Sequence, residues 1–116
     1  MESLTRHTES FSTCAQIRAE DVAAIAEQGF RTLINNRPDA EGGDSQPRSE
    51  DIAKAAAAAG LKYIHIPVIS GQITPEQVTL MRSALDNAEQ PVLAFCRSGA
   101  RSTQLWGLAL QQSQHR

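Results

Sequence analysis

The run Cys96-Arg97-Ser98-Gly99-Ala100-Arg101 gathers residue types that together do chemistry. A cysteine thiolate is a strong nucleophile, and a guanidinium offers a planar fork to a tetrahedral oxyanion. Ser98, Gly99 and Ala100 are small, so the backbone between them can curl until successive N–H groups point inward and make a nest for an anion. A helix beginning a few residues later adds the partial positive charge of its N-terminus. All three effects favour the thiolate, which places the Cys96 pKa in the depressed range of roughly 3.5–7.5. Ser102 follows directly and is positioned to donate a hydrogen bond to the departing sulfur. Cys96, Arg101 and Ser102 are therefore the expected catalytic residues, with Arg97, Ser98, Gly99 and Ala100 as the anion-binding loop. The side chain of Arg97 reads equally well as an anion ligand and as a solvated arginine.

The elements that must position this loop alternate between strand and helix. Phe11 to Gln16 reads as a strand, followed by a helix from about Ala19 to Gln28 that buries Val22, Ile25 and Ala26 and stops at Gly29. Phe30 to Asn35 is a second strand. Asn36 to Arg48 (NRPDAEGGDSQPR) is the longest irregular stretch, and long loops in small domains are usually functional or mobile. Asn36, Arg37 and Asp39 open that loop on the rim where Cys96 is expected, which makes them site-rim candidates; turn chemistry accounts for them nearly as well. Ser49 caps a helix ending at Gly60, and Lys62 to Val68 is a strand with Ile64, Ile66 and Val68 on one side. Thr74-Pro75-Glu76-Gln77 spells a helix start with a capping box. Val92 to Phe95 is short and wholly apolar, as a buried central strand should be, and a last helix starts near Ser102. The pattern predicts an α/β fold with a mostly parallel sheet of four or five strands flanked by helices, its ligands bound beyond the strand C-termini.

Length and composition restrict the alternatives. The chain has 116 residues, enough for one core, here assigned to 11–116 behind a flexible polar stretch 1–10. A net charge of −2 without charge runs speaks against nucleic acid or an anionic membrane as partner. No stretch is apolar enough to span a bilayer and no signal-peptide core is present, so the expected compartment is the cytoplasm. The two cysteines, Cys14 and Cys96, are expected as free thiols, with Cys14 a buried structural residue more than a resolving thiol. His65 reads as a packed strand histidine, and His7 and His115 as unstructured. No residue set has metal-ligand spacing and no nucleotide fingerprint occurs, so no cofactor is expected.

The loop CRSGARS after an apolar strand resembles the active loop shared by rhodanese-type sulfurtransferases and cysteine-dependent phosphatases. The phrases TLINNRPD, YIHIPV, ITPEQV and LAFCRSGARS resemble the bacterial family named for the phosphatase-like domain of the beta-lactamase-hydrolase-like protein, whose members are also labelled sulfur transferases. That resemblance covers about Phe11 to Leu110 and implies the fold of the dual-specificity tyrosine phosphatases.

Two departures from the phosphatase pattern favour sulfur transfer. Only four residues, Arg97 to Ala100, separate Cys96 from Arg101, as in many rhodanese loops, where phosphatases of this fold have five. The segment Ile69-Ser70-Gly71-Gln72 also lacks the carboxylate that protonates the leaving group in those phosphatases, unless Asp39 or Asp44 supplies it. An absent acid forfeits about 10²–10⁴ in rate for a phenolate leaving group, and nothing for sulfite. The expected function is a sulfurtransferase carrying sulfane sulfur as a persulfide on Cys96. Its partners would be a small anionic donor (thiosulfate or a persulfide) and a thiol acceptor, with a homo-oligomer allowed. Phosphate ester hydrolysis through a phosphocysteine, or non-catalytic binding of an anion or phosphoprotein, are the alternatives.

Overall fold

Cys96 ends a strand that is buried on both faces, and the sheet is built around that strand. The computed structural model describes residues 4–114. Its strands are β1 (Thr5–Arg6), β2 (Phe11–Cys14), β3 (Thr32–Asn35), β4 (Lys62–His65) and β5 (Val92–Phe95), in the order β1-β2-β5-β3-β4. The helices are α1 (Val22–Glu27, entered through a 3-10 turn at Ala19–Asp21), α2 (Ser49–Ala58), α3 (Pro75–Asn87) and α4 (Ala100–Gln114). β2, β5, β3 and β4 run parallel, whereas β1 pairs antiparallel with β2. The sheet is thus mixed, which corrects the expected mostly parallel one. The cause lies in the stretch expected to be flexible: His7 and Thr8 donate their N–H groups to the Phe11 carbonyl, closing a tight turn that folds Thr5–Arg6 back onto β2. His7, expected to be unstructured, bonds Thr13 Oγ1 at 2.8 Å and packs on Phe11 and Trp106. His115 and residues 1–3 lie outside the described residues.

Alternation along the strands divides the core. Leu33, Leu93 and Phe95 face α1 and α2 with Val22, Ile25 and Ile52, while Ile34, Val92 and Ala94 face α3 and α4 with Met81 and Leu105. β5, at the centre and buried on both faces, is apolar throughout (VLAF). Helix starts are set locally. Thr74 and Gln77 form the capping box ahead of α3. At α2 the expected cap by Ser49 is replaced: Asp39 Oδ1 accepts the Ser49 N–H at 2.7 Å, so the long loop caps the helix it leads into.

Candidate active site

The segments that follow three parallel strands, β3, β4 and β5, line one cleft of about 870 Å³ with Arg37, Glu41, Ser70, Arg97 and Arg101 among its residues. Cys96, directly before the lining residue Arg97, is 1% exposed and accepts the Gly99 N–H at 3.1 Å on Sγ. Burial pushes the thiol's pKa up, but the backbone N–H groups of Ser102, Ser98, Gly99 and Arg101 outweigh it, and the net shift is downward. These donors are free because α4 begins at Ala100 and its first N–H groups have no carbonyl one turn back. Gly99 makes the curl sterically possible. Its φ is +97°, and a Cβ there would come within 3.2 Å of the Cys14 carbonyl oxygen. Across the same junction, Gln16 donates its N–H to the Arg97 carbonyl at 3.2 Å, fastening the loop to the end of β2.

Arg101 is held in a fixed pose. Its Nη1 donates to Glu41 Oε2 (2.7 Å) and to the Val68 carbonyl (2.8 Å), and its Nη2 donates to Glu41 Oε1 (2.7 Å). Five N–H bonds are available to a guanidinium. Three are used here, and Nε with the remaining Nη2 hydrogen meets no oxygen acceptor among the described residues. Glu41 raises the Arg101 pKa against burial, and the nearby Cys96 sulfur adds to the rise. Glu41 in turn accepts Arg37 Nε at 2.8 Å, and Arg37 Nη1 reaches Gln16 Oε1 at 3.2 Å. The Arg101 hydrogen bonds, helped by Arg37 and opposed by burial, bring the Glu41 carboxyl down to about 2.

Glu41 escaped the sequence reading. Its one signal was a carboxylate four residues after Arg37 in a loop too rich in turn formers to suggest geometry. Ala40 adopts φ +65°, a left-handed conformation costly for a side-chain residue, and so turns the chain ahead of Glu41. The loop is anchored rather than loose. Gln46 accepts the Gly42 N–H and donates to the Pro38 carbonyl, and His65 Nε2 lies 2.9 Å from the Arg37 carbonyl oxygen.

The other expected residues fall as follows. Arg97, Ser98 and Ala100 line the cleft, with the Arg97 side chain exposed to it. The Ser102 hydroxyl was expected at the sulfur, but it donates to Asn36 Oδ1 at 2.8 Å, and its backbone N–H serves Cys96 instead. Asn36 is fully buried and also donates Nδ2 to the Ile66 carbonyl, so it ties α4 to the strand ends. Arg37 is in the cleft. Asp39 is not: besides capping α2 it lines a separate depression together with Asp44, so neither is the missing acid. Cys14 is buried and held protonated, its pKa pushed up to about 12 by burial and by the neighbouring Cys96 charge. Among the described residues no group of His, Cys, Asp and Glu could hold a metal ion, and no helix is long and apolar enough to cross a membrane.

Comparison with known proteins then addresses the chemistry. Residues 3–114 match the model of the beta-lactamase hydrolase-like protein, phosphatase-like domain. The beta-lactamase hydrolase-like protein of Agrobacterium fabrum is 35% identical over 103 residues, which is 89% of this chain and 24% of that protein. The chain thus spans about a quarter of the length of that relative. A candidate phosphatase from Neisseria meningitidis superposes with TM-score 0.79 at 38% identity, covering 86% of this chain and 70% of the other. TpbA of P. aeruginosa gives TM-score 0.62 at 20% identity over 83% of this chain and 54% of its own, a likeness of fold.

These matches correct the expectation of a sulfurtransferase, since family and structures alike are phosphatase-like. The physical reason is visible in the cleft. The spacing of Cys96 and Arg101 does not measure the cradle, because the Ser102 N–H beyond Arg101 still faces the sulfur and Arg37 lines the cleft from a different loop. The chain belongs to the phosphatase-like domain family of the beta-lactamase hydrolase-like proteins.

Proposed function

We propose that this domain is a cysteine-dependent phosphatase working by double displacement through a phosphocysteine on Cys96. One observation carries the reading. A thiolate stabilised by four backbone N–H groups lies beside a guanidinium whose unused edge is fixed by Glu41 and Val68. An incoming phosphoryl group would place its oxygens on those N–H groups and on Arg101, which brings phosphorus in line with Sγ. The same donors match the charge that spreads over the equatorial oxygens in the transition state. Water then attacks phosphorus from the open side of the cleft and returns the thiolate. Two free cysteines support a reducing compartment, and the cytoplasm is part of the proposal.

The test uses p-nitrophenyl phosphate. Phosphate release by the wild-type protein and a transient phosphorylated mass are expected, with Cys96→Ser slower by on the order of 10⁴-fold or more. A wild-type protein that releases no phosphate, or a Cys96→Ser protein that matches it, would sink this reading.

A further inference from the structure

The cleft also constrains what the phosphoryl group can be attached to. When Cys96 displaces a phosphate ester, the leaving oxygen must take a proton or carry the charge away unaided. An alkoxide is a very poor leaving group, and a phenolate belongs to an acid with a pKa near 10, so both call for a general acid. Among the described residues lining the cleft, Glu41 supplies the only carboxylate. Both of its oxygens are engaged by guanidinium N–H groups, from Arg101 on each and from Arg37 on Oε1. A carboxylate clamped by two arginines has no proton to give. Ser70 lines the cleft, and its hydroxyl is no acid at neutral pH. Asp39 and Asp44 are in another depression.

What the cleft does contain is surplus positive charge. Arg37 and Arg97 line it along with Arg101, and one carboxylate offsets three guanidinium groups. Arg97 directly follows the nucleophile, is exposed, and makes no side-chain hydrogen bond or ion pair among the described residues. A guanidinium of that kind suits a second phosphate bidentately. Phosphate is also a leaving group that departs without an acid, since its second ionisation lies near pH ~6.

We propose that the substrates of this site are phosphoanhydrides, in which the transferred phosphoryl group is joined through oxygen to a second phosphate that Arg97 and Arg37 hold as it leaves. This rests on the phosphatase reading above and names its substrate class. The Cys96 thiolate attacks the terminal phosphorus. The S–P bond forms as the bridging P–O bond breaks, and the bridging oxygen keeps the electron pair as a phosphate oxyanion. Water adds to the phosphocysteine, the S–P bond breaks with its electrons returning to sulfur, and the water proton passes to the released phosphate or to solvent.

Three probes separate the possibilities: p-nitrophenyl phosphate, phenyl phosphate, and diphosphates in two forms, inorganic pyrophosphate and an alkyl diphosphate. The expected result is that kcat/KM for at least one diphosphate exceeds that for phenyl phosphate by about 10² or more, the worth of a general acid. Arg97→Ala should lower the diphosphate value about tenfold further than the nitrophenyl phosphate value. Ser70→Asp should raise phenyl phosphate hydrolysis by supplying the proton. Phenyl phosphate cleaved as fast as nitrophenyl phosphate by the wild type would reveal a working acid and overturn the proposal. So would diphosphates turned over no faster than phenyl phosphate, or an Arg97→Ala loss equal for both probes. If nitrophenyl phosphate is itself untouched, the phosphatase reading falls and takes this one with it. Of the two diphosphates, preference for the alkyl form assigns the leaving phosphate to an organic molecule, and preference for pyrophosphate to the free ion.

Discussion

The loop Cys96–Arg101 and the loop Asn36–Arg48 face each other across one cleft, yet they are held by opposite means. The first is shaped by its own backbone: a positive φ at Gly99, and N–H groups left free at the start of α4. The second is shaped by side chains reaching far along the chain, through Gln46, His65 and Asp39. They are joined by the forked pair of Arg101 with Glu41. In the proposed mechanism the backbone-built loop supplies the reacting atom and the N–H groups around it. The side-chain-built loop determines how the guanidinium is presented.

That division predicts a graded set of losses. The largest belongs to Arg101→Lys, which keeps the charge and removes the fork. One ammonium cannot satisfy both Glu41 oxygens and the Val68 carbonyl and still face a phosphoryl group. A loss of about 10²–10³ in kcat/KM is expected, as for deletion of a transition-state donor. Phosphate should also cease to protect Cys96 from alkylation. Equal protection in both proteins would place the anion away from Arg101.

Gly99→Ala attacks the first loop alone. The left-handed φ and the 3.2 Å approach to the Cys14 carbonyl oxygen make a methyl group unwelcome, at about 1–2 kcal/mol for the conformation alone. For a domain of this size that lowers Tm by roughly 4–8 °C or more. Thiol titration should show the Cys96 pKa rising as the N–H groups lose their aim. An unchanged Cys96 pKa would mean that the curl is not what activates the sulfur.

Glu41→Gln attacks the second loop, and its effect is smaller and pH-dependent. A loss of about tenfold in kcat/KM is expected, because hydrogen bonds to charged groups are worth ~1.5–3 kcal/mol and a neutral amide retains part of them. The groups facing Glu41 are the guanidinium groups of Arg101 and Arg37. They depress its folded pKa to about 2, below the value near 4.3 of an unfolded chain. The stability this gives is present above about pH 4.3 and disappears as pH falls toward 2. Wild type should therefore outlast Glu41→Gln in urea at pH 6, with the gap closing below pH 4. A gap that does not change with pH would contradict the ion pairs.

The same division explains what the sequence revealed. The nucleophile, the anion loop and the strand before it occupy consecutive positions from Val92 to Arg101, and their spacing carries the geometry. Thr74 to Gln77 announced a helix start for the same reason. Glu41, Gln16 and the Val68 carbonyl join the site only through tertiary contacts, and no local period marks them. Ser102 was placed in the site, but its hydroxyl was given to the wrong partner, because Asn36 arrives from a different strand. The antiparallel β1 was missed because two residues, Thr5 and Arg6, are too short a run to show alternation. Loop length favours sulfur transfer only if it measures the cradle, and it does not, because the Ser102 N–H and Arg37 add donors from beyond the loop.

β5 lies between β2 and β3 and pairs with both, while those two strands do not pair with each other. The middle of the sheet therefore comes from the last third of the chain, and the β1–β2 and β3–β4 pairs have no ladder to each other until it arrives. Closing such distant contacts is the slow, entropically costly part of folding. Until β5 docks, the loop after it is not fastened to the end of β2 by the Gln16–Arg97 bond, and Arg101 has neither Glu41 nor the Val68 carbonyl to hold it in place. The complete anion site thus exists only once the two halves of the sheet are joined, so the protection that phosphate gives Cys96 against alkylation should report how much of the population has completed its fold.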